Sequence, residues 1–133
     1  MAEILEIKNV SKTYNPDGDS PVKALDGVDL NVKEGEFVSI IGPSGCGKST
    51  LFNIIGGLID DNEGEVMIDG RPVDGAHKDV GVVFQEESTF PWRSTLDNVG
   101  FPLEVEGMEK AAREEVARKF IKLVGLEGFE NHY

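Results

Sequence analysis

The sequence has 133 residues, 39% hydrophobic and 29% charged, the balance of a globular chain with room for one small domain or a piece of a larger one. Its formal charge of −12, from 25 acidic and 13 basic side chains, argues against a general nucleic-acid footprint or an anionic lipid surface, both of which need cations. The one cysteine, Cys46, excludes an intrachain disulfide and suits a reduced cytosolic compartment, and neither a signal peptide nor an 18-residue apolar run is present.

In chain order, Leu5 and Ile7 alternate with Glu6 and Lys8, which predicts a half-exposed strand over 4–10. Asn15 to Pro21 is dense in turn formers and reads as a loop. Val28, Leu30 and Val32 alternate again as a second strand. Phe37-Val38-Ser39-Ile40-Ile41 is a nearly continuous apolar run ending at Gly42, the pattern of a strand buried on both faces. Leu51, Ile54, Ile55 and Leu58 then follow the i, i+3, i+4, i+7 spacing of an amphipathic helix. Val66 and Ile68 alternate as a strand that Asp69-Gly70 ends, and Val80 to Phe84 reads as a second buried-type strand leading into Gln85. From Thr95 the character is helical. Ala112, Val116, Phe120, Leu123 and Val124 form an expected apolar stripe, with Gly125 as its C-terminal stop. Strands, a strand–loop–helix unit, further strands and then helices predict an α/β fold with an antiparallel β addition and a helical extension.

Between the first apolar run and its helix stands Gly42-Pro43-Ser44-Gly45-Cys46-Gly47-Lys48-Ser49, which matches G-x-x-x-x-G-K-[ST]. Glycines let the backbone turn with several N–H groups pointing inward, and the helix that follows adds its positive dipole end. Lys48 is spaced to reach β- and γ-phosphates, and the Ser49 hydroxyl to ligate Mg²⁺. The loop alone does not separate kinases, GTPases, motors and transport ATPases. Cys46 reads as a small loop residue, and His77 and His132 as surface histidines without metal spacing.

The neighbouring residues narrow the choice. Gly42 to Leu51 resembles the Walker A segment of ATP-binding cassette (ABC) proteins. Val22-Lys23-Ala24-Leu25-Asp26-Gly27-Val28-Asp29-Leu30 looks like the strand that leads into it, Gly64 to Gly70 like the strand after the first helix, and Val82-Val83-Phe84-Gln85 like the Q-loop. The resemblance implies a partial P-loop NTPase core with an antiparallel β subdomain over 1–94 and the start of the helical subdomain over 95–133. It implies ATP and Mg²⁺ as cofactors. The phosphate site would be Gly42, Pro43, Ser44, Gly45, Cys46, Gly47, Lys48, Ser49 and Thr50, with Lys48 and Gln85 serving catalysis and Ser49 and Gln85 the metal. Tyr14 corresponds to the aromatic residue that stacks on adenine, and Val22 to a neighbour lining the same site. By itself Tyr14 would more readily be a strand-end ring packed on the core, and the resemblance reverses that reading.

Past Gln85, Phe90-Pro91-Trp92-Arg93 followed by Leu96-Asp97-Asn98-Val99 looks like importer subfamilies for nitrate, sulfonate and taurine. In the family this region docks the membrane permease, which makes Glu86, Phe90, Pro91 and Trp92 the expected contact. Burial of Phe90 and Trp92 in the domain's own core is the alternative. A second ATP-binding subunit in a head-to-tail dimer and a cytoplasmic place on the inner membrane face are also implied. The family's signature, Walker B and switch-histidine segments do not occur in these 133 residues. The expectation is therefore an ATPase subunit of an importer whose catalysis needs those parts, with a nucleotide-binding module without turnover, or a soluble non-transport cassette protein, as alternatives. Sheet edges left unpaired would make the chain marginal or aggregation-prone by itself.

Overall fold

The computed structural model describes residues 3–78, 80–85 and 88–133. The chain divides into two compact units, Met1–Val83 and Phe84–Tyr133.

The first unit is built on a four-stranded antiparallel sheet. Its strands are β1 (Glu3–Tyr14), β2 (Val22–Lys33), β3 (Glu63–Ile68) and the short β4 (Arg71–Pro72), in the order β2-β1-β3-β4. The turn-rich loop over Asn15–Pro21 joins β1 to β2, so that Tyr14 pairs with Val22 at one end and Glu3 with Lys33 at the other. The register of β1 slips between Ile7 and Val10, where Asn9 takes φ 50° and its N–H donates to Asp29 Oδ1 at 2.9 Å. Such a bulge bends the strand and re-aims the side chains after it. β3 follows the bend closely. A side chain at Gly64 (φ +83°) would place its Cβ 2.3 Å from the Asn9 carbonyl oxygen, so only glycine fits there.

One face of the sheet is covered by the helix α1 (Lys48–Ile55). Leu51 and Ile54 of that helix join Ile7, Val10, Leu25 and Val66 in a buried cluster. The helix stops one turn short of the predicted Leu58, where Gly57 N–H returns to the Ile54 carbonyl and Leu58 N–H to that of Asn53.

Two sequence expectations fail here. Phe37–Ile41 and Val80–Phe84, read as strands buried on both faces, lie in no strand, and Phe37, Ile41 and Val83 are 92%, 93% and 99% exposed. A strand of that kind needs ladder partners and cover on both sides, and β1–β4 pair among themselves without supplying either.

The second unit is a helical pair, α2 (Thr95–Val105) and α3 (Lys110–Leu123). Ser94 caps α2, its Oγ accepting from Asp97 N–H at 3.2 Å. The first N–H groups of α2 find unusual partners: Thr95 N–H donates to the His132 carbonyl at 2.7 Å and Leu96 N–H to that of Glu130 at 2.9 Å. Leu96, Ala117 and Ile121 form the buried centre with Val99 packed against them. This corrects the predicted stripe. Phe120, Leu123 and Val124 are 55%, 78% and 67% exposed, and α3 instead turns its Ala117–Ile121 face to α2. The small residues explain the choice, because Gly100 on α2 lies against Ala117 and permits close approach of the two helices. Gly125 ends α3 as expected, its N–H on the Lys122 carbonyl and Leu126 N–H on that of Ile121.

Candidate functional site

The glycine-rich loop, the candidate phosphate site, runs from the extended apolar segment to the first turn of α1. Gly45 (φ +79°) and Gly47 (φ +97°) bend it. Gly47 also has no room for a side chain, since a Cβ there would lie 2.4 Å from the Ala24 carbonyl oxygen of β2. The loop therefore rests on β2, and the sheet sets where the amides of the loop sit. Leu51 N–H bonds the Gly47 carbonyl at 2.9 Å and starts the helix, which leaves the N–H groups of its opening residues without helical partners.

Lys48, the first residue of α1, folds its ammonium over this bend. Its Nζ donates to the carbonyls of Gly42 at 2.8 Å and Pro43 at 2.7 Å, with Cys46 Sγ at 3.5 Å. A flexible cation gathered at the loop is a charge close at hand for an anion, since its three donors can be exchanged for phosphate oxygens. Ser44 and Cys46 are exposed on the loop, Ser49 is exposed on the first turn of α1, and Thr50 beside it is buried.

Tyr14, 36 residues earlier, comes to the same place. Its hydroxyl shares a hydrogen bond with Thr50 Oγ1 at 3.3 Å. Its ring is 38% exposed and next to Val22, its cross-strand partner, which is 58% exposed. A half-open aromatic face and an apolar side chain thus stand beside the phosphate loop at one end of β1 and β2. One residue here was missed by the sequence reading. Lys12 is buried at 5% exposure and faces the same side of β1 as Tyr14, with its ammonium 5.0 Å from the ring centroid. It also forms an ion pair with Asp61, whose carboxyl is held below its ordinary value, first by that hydrogen bond. Strand alternation is the signal that could have found it, since Lys12 sits two residues from both Val10 and Tyr14.

Gln85 is exposed and belongs to the second unit. In that unit Phe90 packs edge-on against Phe101 at 4.7 Å and next to Trp92 at 5.5 Å, while Trp92 remains 71% exposed. The loop carrying them is held by Asn98. Its Oδ1 accepts from Phe90 N–H at 2.8 Å, and its Nδ2 lies within 3.0–3.1 Å of the carbonyls of Phe90, Arg93 and Ser94. Arg93 stacks on Phe101 at 4.9 Å and bonds Glu104 through both terminal nitrogens, at 2.9 and 3.4 Å. Glu86, expected in the same surface, lies outside the described residues.

Comparison with known proteins agrees with this geometry. The ABC transporter family model matches residues 25–133. An uncharacterized ABC transporter ATP-binding protein of Methanocaldococcus jannaschii is 51% identical over 129 residues, 97% of this chain and 48% of that protein. The taurine import ATP-binding protein TauB of Escherichia coli K12 is 42% identical over 124 residues, 93% of this chain and 48% of its own length. Among solved structures, the ATP-binding cassette MJ0796, in a dimeric post-hydrolysis state bound to ADP and Pi, superposes with a TM-score of 0.82 at 42% identity, covering 96% of this chain and 60% of that one. The chain thus spans about half the length of the curated relatives it matches. The sheet, the loop and the helices are a mixed α/β part of a cassette fold. By the family match over most of its length, this chain belongs to the ABC transporter family as part of an ATP-binding cassette.

Proposed function

We propose that this chain is the nucleotide-holding half of an importer's ATP-binding subunit, in which Mg-ATP binding and hydrolysis drive solute transport. One observation carries the reading: an aromatic ring and a lysine-bearing anion loop, far apart in sequence, meet through the Tyr14–Thr50 hydrogen bond. In this assignment the amides of Gly42 to Gly47 and the helix end hold the phosphates, and Lys48 exchanges its carbonyl partners for β- and γ-phosphate oxygens. Tyr14 takes the adenine face with Val22 at its edge, where stacking on an aromatic ring contributes about 1–3 kcal/mol per base.

Mg²⁺ fits this donor set. Mg²⁺ prefers one or two protein oxygens completed by phosphates and water, and the Ser49 side chain is exposed on the first turn of α1 beside the loop. The Ser49 hydroxyl and the Gln85 side chain would be those oxygens. The ion, when bound with ATP, neutralises charge on the β- and γ-phosphates.

The partner reading follows from the second unit. Trp92 and Pro91 are exposed, with Phe90 half-buried beneath them on a loop fixed by Asn98. A rigidly held aromatic patch suits a protein interface, here that of a membrane permease, with Glu86 assigned to the same surface. No described helix is long and apolar enough to cross a membrane, so a permease would be the link to the inner face of the membrane. The taurine importer relative supports a small sulfonate or similar anion as the class of solute, and the dimeric cassette supports pairing with a second ATP-binding subunit, which we assign as head-to-tail. We assign residues 1–94 to the catalytic core and 95–133 to the beginning of the helical subdomain.

The deciding experiment is Lys48→Ala in the full-length protein. Calorimetry with Mg-ATP should show binding lost, and phosphate release should fall to background. Retention of both would remove the site assignment. Trp92→Ala should leave ATP binding intact and abolish co-purification with a permease.

A further inference from the structure

Lys12 is a buried cation that the phosphate site does not use. It is 5% exposed, and a buried ammonium is costly unless it is paired and hydrogen-bonded. Two groups meet that need. Asp61, in the turn between α1 and β3, offers its carboxylate and, at 3.2 Å, its main-chain carbonyl to Lys12 Nζ. The Tyr14 ring lies 5.0 Å from the same nitrogen, inside the distance at which a cation is attracted to an aromatic face. Since the Asp61 side chain is itself 76% exposed, the pair joins a solvent-side turn to the interior of the sheet and ends on the ring.

We infer that Lys12, locked by Asp61, is a positioning residue that sets the plane of Tyr14 for stacking on the base of the bound nucleotide. The inference rests on the reading of Tyr14 as the base platform. A tyrosine at a strand end has two soft torsions. The hydrogen bond to Thr50 Oγ1 tethers the tip of the ring at 3.3 Å, but a tether at the tip leaves rotation about the ring axis free. A cation on one face removes that rotation and leaves the opposite face for the base. Ring order is then established before ligand arrives, so less freedom is lost on binding. The effect is confined to the base half of the nucleotide, because Lys48 and the loop amides hold the phosphates.

The test compares Mg-ATP with Mg-tripolyphosphate, which has the phosphates and no base, by calorimetric titration of the full-length protein. Lys12→Met keeps the apolar stem and removes the charge. It should raise the ATP dissociation constant about two- to fivefold and leave tripolyphosphate unchanged, and Lys12→Arg should restore ATP binding. Equal weakening of both ligands, or none for ATP, overturns the inference. Should Lys12→Met fail to fold, Asp61→Asn tests the same link from the solvent side and must also weaken ATP alone; an unchanged ratio of the two affinities overturns it. Tyr14→Ala separates the layers. If it leaves ATP affinity intact, the platform reading itself falls; if it weakens ATP while Lys12→Met does not, only the positioning role falls.

Discussion

Two stretches of the first unit carry the same kind of side chain and meet opposite fates. In β1, Ile7 and Val10 are 1% and 0% exposed, whereas in the run Phe37–Ile41 the terminal Phe37 and Ile41 are 92% and 93% exposed. Hydrophobicity does not separate them; periodicity and neighbours do. β1 alternates, pairs with β2 on one edge and β3 on the other, and joins a cluster completed by Leu51 and Ile54 of α1. The run from Phe37 to Ile41 is apolar on both faces and has no ladder. An alternating strand can be satisfied by one sheet and one covering helix, whereas a continuous apolar strand calls for neighbours on every side. The loop Phe90–Ser94 shows a third solution: it has no ladder either, yet a single side chain, Asn98, lies within hydrogen-bonding distance of four of its backbone groups.

The largest effect should come from attacking the sheet where its strands fit most tightly. Gly64→Val would drive a side chain into the Asn9 and Lys8 carbonyls, at 2.3 and 2.5 Å, and should cost more than about 4 kcal/mol. Gly35→Ala is its control. Gly35 has a similar φ of +77° but no neighbour within 4 Å and lies just before the exposed run, so only the backbone cost of about 1–2 kcal/mol should appear. Urea unfolding midpoints of the two variants check both values, and equal losses would break the comparison.

Next in size is Ile7→Ala, which empties a fully enclosed site and should cost about 3 kcal/mol. In the 133-residue chain, Phe37→Ala should stay within about 0.5 kcal/mol of the parent. A large loss from Phe37→Ala, measured by the same unfolding, would mean that the run is covered after all.

Asn98→Ala should cost about 2 kcal/mol, since it leaves main-chain groups of the loop without partners. Hydrogen exchange at the Phe90 amide, which donates to Asn98 Oδ1, should quicken more than at residues of α3.

The smallest effect concerns Glu104. The hydrogen bond from Arg93, reinforced by its charge and that of Arg113, holds the Glu104 carboxyl below its ordinary value of 4.5. A lowered folded value means the pairing contributes fully above pH 4.5 and is lost as pH falls through the lower value. Thermal unfolding followed by Trp92 fluorescence should therefore weaken on acidification in that window, and Glu104→Gln should flatten that part of the curve. An unchanged slope would show that the Arg93–Glu104 pair adds nothing to the loop's anchorage.

Local signals survived folding well. The alternation in β1, β2 and β3, the loop over Asn15–Pro21, the glycine stop after α3 and the helical character from Thr95 all act over a few residues, and each is found. The bend of the glycine-rich loop was legible for the same reason, because Gly42, Gly45, Gly47 and Lys48 lie within a few positions of one another. What could not be read was any choice between faces or partners. The stripe through Phe120 and Leu123 was the more hydrophobic face of α3, but Gly100 and Ala117 let the helices meet on another. Nothing local marked Lys12, whose burial depends on a β1 register that slips at Asn9 and again on either side of Lys12.

By itself the sequence determined the order of the local elements and the bend of the glycine-rich loop before α1, since backbone freedom at glycine, side-chain alternation and the adjacency of Gly47 and Lys48 depend on neighbours in the chain. Only the tertiary structure decided that Tyr14 meets Thr50 and that Lys12 lies beneath the ring. It also decided that two of the most apolar segments go without strand partners. Those outcomes depend on contacts between residues far apart in sequence, and such contacts follow from which surfaces cover one another, a quantity that no single segment carries.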